Sequence, residues 1–278
     1  MDLAGISDVL RPTARDELPP WRPGDAWLGG GTWLFSELQP ALSRLIALDG
    51  FGWEPLARNA HGLTIAATCS VAALRGFAVP PEWPAAALFR PCCEALQSSF
   101  KIWNTATVGG NLCLSLPAGS LIALAVALES ECLIWRPNGG EHRIEAADFV
   151  TGINRNKLGA GELLRAVEIP TAALARRSAF RHVTAHRFGR TLALVIGTHD
   201  RSDDRFALTV GAATQRPLRL SFPAFPGAAE LGTAIEAAVP DALCVDDAFA
   251  TPRHRRRLAL ALAEEVRREL AQGSNECR

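Results

Sequence analysis

Apolar positions along this chain fall in short bursts broken by glycine and proline. Ile6, Val9 and Leu10 have helical spacing and run into Pro12, Pro19 and Pro20. Ala26-Trp27-Leu28 and Leu45-Ile46-Ala47-Leu48 are compact apolar runs of the kind buried strands carry, the second ending at Asp49-Gly50. Between them, Trp33, Leu34, Phe35 and Leu38 suit one or two helical turns before Pro40. The pattern predicts a small β-α-β unit whose first strand opens, at its carboxyl end, into Gly29-Gly30-Gly31.

Leu63-Thr64-Ile65-Ala66-Ala67 is strand-like, and Ser70 suits the N-cap of a helix carrying Val71, Leu74 and Phe77. Pro84 opens a helical stretch through Leu88, Leu96 and Phe100, which Pro91 is expected to divide. Leu121 to Leu128 reads as a buried helix, with the turn Pro117-Ala118-Gly119-Ser120 at its positive end. Cys132–Trp135 and His142–Ile144 flank Pro137-Asn138-Gly139-Gly140, a hairpin signal. Leu163 to Ile169 reads as a strand. From about residue 175 come three strand candidates, 179–184, 192–197 and 206–212, and then two helices. The first helix spans 228–239. The second starts at Thr251-Pro252 and carries Leu258, Leu262, Val266 and Leu270 as an apolar stripe.

Two stretches carry candidate chemistry. One is Leu28-Gly29-Gly30-Gly31-Thr32-Trp33; the other is Thr105-Ala106-Thr107-Val108-Gly109-Gly110-Asn111-Leu112, entered by a β-branched run. Adjacent glycines let backbone N–H groups approach a ligand with no Cβ in the way, and such groups form anion-binding nests. Each cluster is also compatible with an ordinary tight turn. Neither is G-x-G-x-x-G or G-x-x-x-x-G-K-[ST], so the Rossmann and P-loop fingerprints are absent. Two loops about seventy-five residues apart could grip two ends of one extended phosphate-bearing molecule.

Composition narrows the field. The chain has 278 residues, with 29 basic and 29 acidic side chains, so no net charge argues for nucleic acid or an acidic membrane surface. The longest apolar run is too short to cross a bilayer, and the N-terminus does not read as a signal peptide, so a cytoplasmic chain is expected, with periplasmic export on a partner's signal left open. Seven cysteines, Cys69, Cys92, Cys93, Cys113, Cys132, Cys244 and Cys277, form no C-x-x-C, and buried free thiols are expected rather than a metal site. The six histidines share no motif, and no Ser-His-Asp, Cys-His or paired-carboxylate constellation can be read from spacing. Two arginine runs stand out: Arg176, Arg177, Arg181, Arg187 and Arg190, and Arg253, Arg255, Arg256 and Arg257. Such runs are usually solvated faces. The second sits at a helix N-terminus, where positive charge needs compensation.

Taken together, G-G-G-T-W-L at 29–34, I-W-N-T-A-T-V-G-G-N-L at 102–112 and P-A-G-S at 117–120 resemble the FAD-binding subunit of the molybdenum hydroxylases. That subunit is the flavoprotein chain of carbon monoxide, xanthine and aldehyde dehydrogenase-type complexes. A third stretch, Asp148-Phe149-Val150-Thr151-Gly152, Leu158, Gly161-Glu162-Leu163-Leu164 and Glu168-Ile169-Pro170, agrees in order and spacing, so the resemblance covers about residues 5–200.

The resemblance implies an α+β fold. Two α/β subdomains of the vanillyl-alcohol-oxidase (PCMH-like) FAD-binding type, 1–54 and 55–172, would be followed by a C-terminal domain, 173–278, with a three-stranded antiparallel sheet and helices. Gly29, Gly30, Gly31 and Thr32 would cradle the FAD pyrophosphate, flanked by Leu28 and Trp33. Thr107, Val108, Gly109, Gly110 and Asn111 would wrap it from the other side. Ser120 stands where the family usually has Asp, and is equally a helix N-cap. Leu164 falls at a position lining the adenine or flavin environment, and Arg181 where the family often has Lys near the flavin. The molybdenum cofactor and [2Fe-2S] clusters would reside in a large and a small partner subunit, with electrons leaving the flavin for NAD or another acceptor. Neither nucleic acid nor membrane is implied. This sequence departs from the family at Trp33, in place of Asp or Asn, at Trp103, in place of Arg, and in having no tyrosine. Those departures leave open a scaffold subunit without competent FAD, and more weakly a stand-alone flavin oxidoreductase.

Overall fold

The computed structural model describes residues 5–96, 98–186 and 189–272. The first sheet is parallel, with β1 (Asp8–Leu10), β2 (Asp25–Leu28) and β3 (Arg44–Ala47) in the order β1-β3-β2. The helical spacing of Ile6, Val9 and Leu10 is therefore misleading. Pro12 denies that segment a helical continuation, and pairing with β3 satisfies its backbone instead. Residues 33–38 form turns, not a helix: Phe35 N–H donates to Gly31 O and Ser36 N–H to Trp33 O, both at 2.9 Å. Trp33, Phe35 and Leu38 are exposed, so the segment buries too little apolar surface to offset the cost of helix nucleation.

The second sheet is built from β4 (Leu56–Asn59), β5 (Gly62–Ala66), β6 (Glu131–Trp135), β7 (Glu141–Glu145) and β10 (Leu163–Pro170), in the order β4-β5-β10-β6-β7 and antiparallel throughout. Between β5 and β6 run α1 (Val71–Arg75), α2 (Phe89–Glu94), α3 (Phe100–Thr105), α4 (Val108–Leu114) and α5 (Ser120–Ala127). Ser70 caps α1, its Oγ accepting from Ala73 N–H at 3.1 Å. A single 3₁₀ turn at Pro84–Leu88 precedes α2, and Pro91 sits inside α2 rather than dividing the stretch. It is the third residue of the helix, where its missing N–H has no intrahelical partner to lose. The hairpin of β6 and β7 turns at Gly139, with φ of 89°, where Arg136 N–H donates to Gly140 O at 2.8 Å. Short elements α6 (Ala146–Phe149), β8 (Val150–Gly152) and β9 (Arg155–Asn156) lead to β10, and α7 (Thr171–Leu174) follows it.

The third sheet has four strands, not three: β11 (Arg177–Thr184), β12 (Thr191–His199), β13 (Phe206–Gly211) and β14 (Leu218–Phe222), all antiparallel. β14 escapes the sequence pattern because Arg219 and Ser221 alternate with half-buried leucines on an edge strand. The chain ends in α8 (Ala228–Ala238) and α9 (Pro252–Gln272). Leu262, Val266 and Leu270 are buried as the stripe predicts, and Val266 and Leu270 pack over Gly197, where a side chain would collide with Val266. Every residue of α5 is buried, because it packs on α2 and α4 to one side and on β12 and β13 to the other. A helix covered on both sides must be apolar all round.

In the second arginine run Arg253 and Arg257 are exposed as expected, but Arg255 turns into the core. Arg255 is 2% exposed and donates to Leu192 O at 2.8 Å, Ala212 O at 3.2 Å and both oxygens of Asp247 at 2.8 Å. In the first run, Arg176 pairs with Glu129 at 2.6 Å; Arg187 lies outside the described residues, as does Cys277.

Candidate functional site

The two glycine stretches meet. Gly30 lies so close to the carbonyl of Thr105 that a Cβ there would fall inside the oxygen's contact sphere. A Cβ on Gly29 would sit 3.0 Å from Thr107 Oγ1. Gly31 has φ of 69°, the left-handed region in which glycine alone is unstrained, and its open face is filled by the Phe35 ring. The first loop is thus shaped by small size, so that it can rest directly on the backbone of the second.

The second stretch is a helix–turn–helix, not a strand running into a glycine turn. α3 ends at Thr105, Thr107 caps α4, and Gly109, Gly110 and Asn111 lie in the first turn of α4. The segment is clamped to the end of β5. Val71 N–H donates to Ala106 O, Val108 N–H to Cys69 O, and Gly109 N–H to Ala67 O, all at 2.9 Å. A Cβ on Gly109 would stand 2.7 Å from Ala67 O, so glycine is required there for packing. Thr107 Oγ1 accepts from Gly110 N–H at 3.0 Å. The donors of Val108, Gly109 and Gly110 are therefore already engaged within the protein. By contrast, among the described residues the N–H groups of Gly30, Gly31, Thr32 and Trp33 donate to no protein acceptor.

Two further polar atoms are buried here without a partner: Asn111 Oδ1 and Trp103 Nε1. Trp103 stands out in the sequence only as a departure from the family's Arg and is not among the expected site residues. Arg75 now stands over that indole, its Cζ 5.1 Å from the ring centroid. Trp33 and Phe35 are 39% and 45% exposed, on the same loop as the free donors. Free N–H donors suit a diphosphate, orphaned buried polar atoms suit a polar ligand, and exposed rings suit a flat one. The residues present fit a flavin dinucleotide.

Three residues singled out in the sequence are occupied elsewhere. Ser120 is not an N-cap; it is the first residue of α5, 1% exposed, and its Oγ donates to Cys92 O at 2.5 Å. Leu164 is buried core on β10, opposite Ile134. Arg181 reaches from β11 to α9 and pairs with Glu269 at 2.7 Å and Glu265 at 3.3 Å. The thiols of Cys69, Cys93 and Cys113 are pushed up to about 12 by burial, so they serve as protonated core atoms.

A family model described as the FAD binding domain in molybdopterin dehydrogenase matches residues 14–172, which contain both glycine stretches, β2 and β3 of the first sheet and all of the second. The chain belongs to this family. Caffeine dehydrogenase subunit beta of Pseudomonas sp. (strain CBB1) is 30% identical over 132 residues, 45% of this chain and 44% of that protein. Xanthine dehydrogenase 1 of Arabidopsis thaliana is 35% identical over 112 residues, 38% of this chain and 8% of that protein. The chain thus spans less than half the length of these curated relatives. Among solved structures, quinoline 2-oxidoreductase from Pseudomonas putida 86 superposes with a TM-score of 0.78 at 21% identity, covering 98% of this chain and 99% of that one. CO dehydrogenase from Oligotropha carboxidovorans gives 0.78 at 19%, covering 93% and 95%. These likenesses establish the mixed α/β fold, including the C-terminal sheet that the family model does not reach. The family match puts an FAD-binding domain of the molybdopterin dehydrogenase type in this chain. Among the described residues, no helix is long and apolar enough to cross a membrane.

Proposed function

We propose that this chain is the flavin-bearing subunit of a molybdenum hydroxylase complex. In this reading a large subunit with the molybdenum cofactor oxidises substrate, and a small subunit with two [2Fe-2S] clusters passes electrons on. FAD held in this chain would supply the step to NAD or a comparable acceptor. The observation that carries the reading is the junction of the two loops: Gly29 and Gly30 lie against Thr105–Thr107, and the same loop carries four unengaged N–H donors from Gly30 to Trp33. Those donors, with the Thr32 hydroxyl, hold the pyrophosphate. Asn111 Oδ1 and the Trp103 indole N–H supply the further polar contacts, and Trp33 covers a ring face. Bound FAD supplies the chemistry of taking electrons singly and releasing them in pairs. The protein holds, orients and shields it. A cytoplasmic location belongs to this reading and is supported by the six free thiols among the described residues.

A second reading, a scaffold that has lost FAD, draws on the engaged donors of Gly109 and Gly110 and on Ser120, whose hydroxyl is spent on Cys92. One preparation separates the two. The complex is purified from its host through a tag on this chain, and its molybdenum, iron and flavin are assayed. Co-elution of all three, with flavin bleaching when substrate is added, is the expected result. Molybdenum and iron without flavin would favour the scaffold, and a chain eluting alone would contradict both.

A further inference from the structure

A cleft of about 650 Å³ lies away from the glycine loops. It is bounded by the Asn59–Thr64 hairpin, the start of β6, the ends of β7 and β10, and Arg219 of β14. Gly62–Thr64 line it at the beginning of β5, whereas Gly109 packs on Ala67 just past the strand's end. The cleft and the loops are therefore separated by about the length of that strand, roughly 16 Å. A cavity of this size fits a small organic ligand.

Four carboxylates, Glu129, Glu131, Glu145 and Glu168, line the cleft against two guanidiniums, Arg143 and Arg219. Both guanidiniums are engaged: Arg143 with Glu168 at 2.8 Å, and Arg219 with Glu129, which also holds Arg176. That leaves Glu131 and Glu145. They are directly opposite each other on β6 and β7, and Glu168 continues the same row on β10. Among the described residues, neither Glu131 nor Glu145 is within ion-pair distance of a base. Like charges facing each other across a ladder are destabilising; Arg143 acts on Glu131 and Arg219 on Glu145 only from beyond ion-pair distance, so the cleft sets four carboxylates against two guanidiniums already spent on Glu168 and Glu129.

An independent observation points the same way. Ser130 is 1% exposed, lines the cleft, and its hydroxyl has no hydrogen-bond partner. A hydroxyl beside carboxylates can accept a hydrogen bond from a cationic N–H. Val126, Ile169 and Pro170 give the cleft an apolar wall suited to a hydrocarbon stem. Among the described residues, no group of three or more His, Cys, Asp or Glu is arranged to hold a metal ion.

We infer that this cleft binds a small aliphatic amine or guanidine, with its cationic head between Glu131 and Glu145 and its stem along Val126, Ile169 and Pro170. The site is independent of the flavin. The test is titration calorimetry of the full chain with agmatine and with butylamine at low salt, with magnesium chloride and a capped Gly-Lys-Gly peptide as comparisons. Saturable binding of one amine per chain is expected, weakened at least about tenfold in the double variant Glu131→Gln/Glu145→Gln and to a smaller degree in Ser130→Ala. Flavin content should be the same in all three proteins, which keeps this result apart from the reading of the loops. Relief of like charge should leave the double variant at least as heat-stable as the parent, and agmatine should raise the parent's Tm alone. No binding of either amine overturns the inference. So does an undiminished response in the double variant, an equal response to magnesium, or binding of the peptide alone, which would assign the cleft to a partner chain's lysine.

Discussion

At the scale of single residues, small side chains make the candidate site possible. Gly30 rests on Thr105 O, and a methyl group there has nowhere to go because its neighbour is backbone. Gly30→Ala is expected to push the two loops apart and remove most of the bound flavin while the C-terminal sheet stays folded. Flavin absorbance per chain, beside far-ultraviolet circular dichroism, reads this directly, and full flavin retention would show that the junction does not form the site. Ser120 gives the opposite expectation. Its hydroxyl is buried on Cys92 O, so Ser120→Ala should cost about 1–3 kcal/mol of stability and leave flavin content unchanged. A flavinless but stable Ser120→Ala protein would return that residue to the site. Arg255 is the third such position. Replacing it by Met leaves two buried carbonyls, Leu192 O and Ala212 O, without its donors, and should destabilise the chain by about 1–3 kcal/mol in chemical denaturation.

At the scale of elements, the first parallel sheet is stapled by one buried ion pair. Asp25 is 7% exposed and Arg44 8%, and Arg44 donates to both carboxylate oxygens, at 2.7 and 2.5 Å. Hydrogen bonds from Arg44 hold the Asp25 carboxyl below its ordinary value of 3.8, against the opposing effect of burial. A carboxyl lowered in the folded chain stabilises it above that ordinary value, and the benefit is lost as pH falls through the lowered one. The parent Tm should therefore drop more steeply than that of Asp25→Asn between about pH 5 and 3, although the variant is less stable at neutral pH. Parallel slopes would contradict this.

The same scale shows what pattern could and could not reveal. α5, α9, β5 and the β6–β7 hairpin were legible because each announces itself through a continuous apolar run, a four-residue stripe, a β-branched segment or an Asn-Gly turn. β1 was not, because a three-residue strand has no period of its own and is defined by its pairing with β3. β14 was not, because an edge strand alternates polar residues that local pattern reads as loop. In the site, the glycine positions were legible, but the engagement of the Gly109 and Gly110 donors was not. It depends on Ala67 and on the cap of Thr107, contacts that only the folded chain creates.

At the scale of the whole molecule, α5, buried on every side, joins the helices that follow β5 to the C-terminal sheet through β12 and β13. The glycine loops rest at one end of the central antiparallel sheet and the acidic cleft lies at the other, so two ligands can be held without contact between them. The electron-relay reading requires the first of those ligands to be FAD. The most direct measurement is the visible absorption spectrum of the purified full chain, with the cofactor released by denaturation and identified. A flavin spectrum with FAD near one per chain, lost in Gly30→Ala, is the expected result. A colourless chain that takes up no FAD from excess, in isolation and in the purified complex, would contradict it.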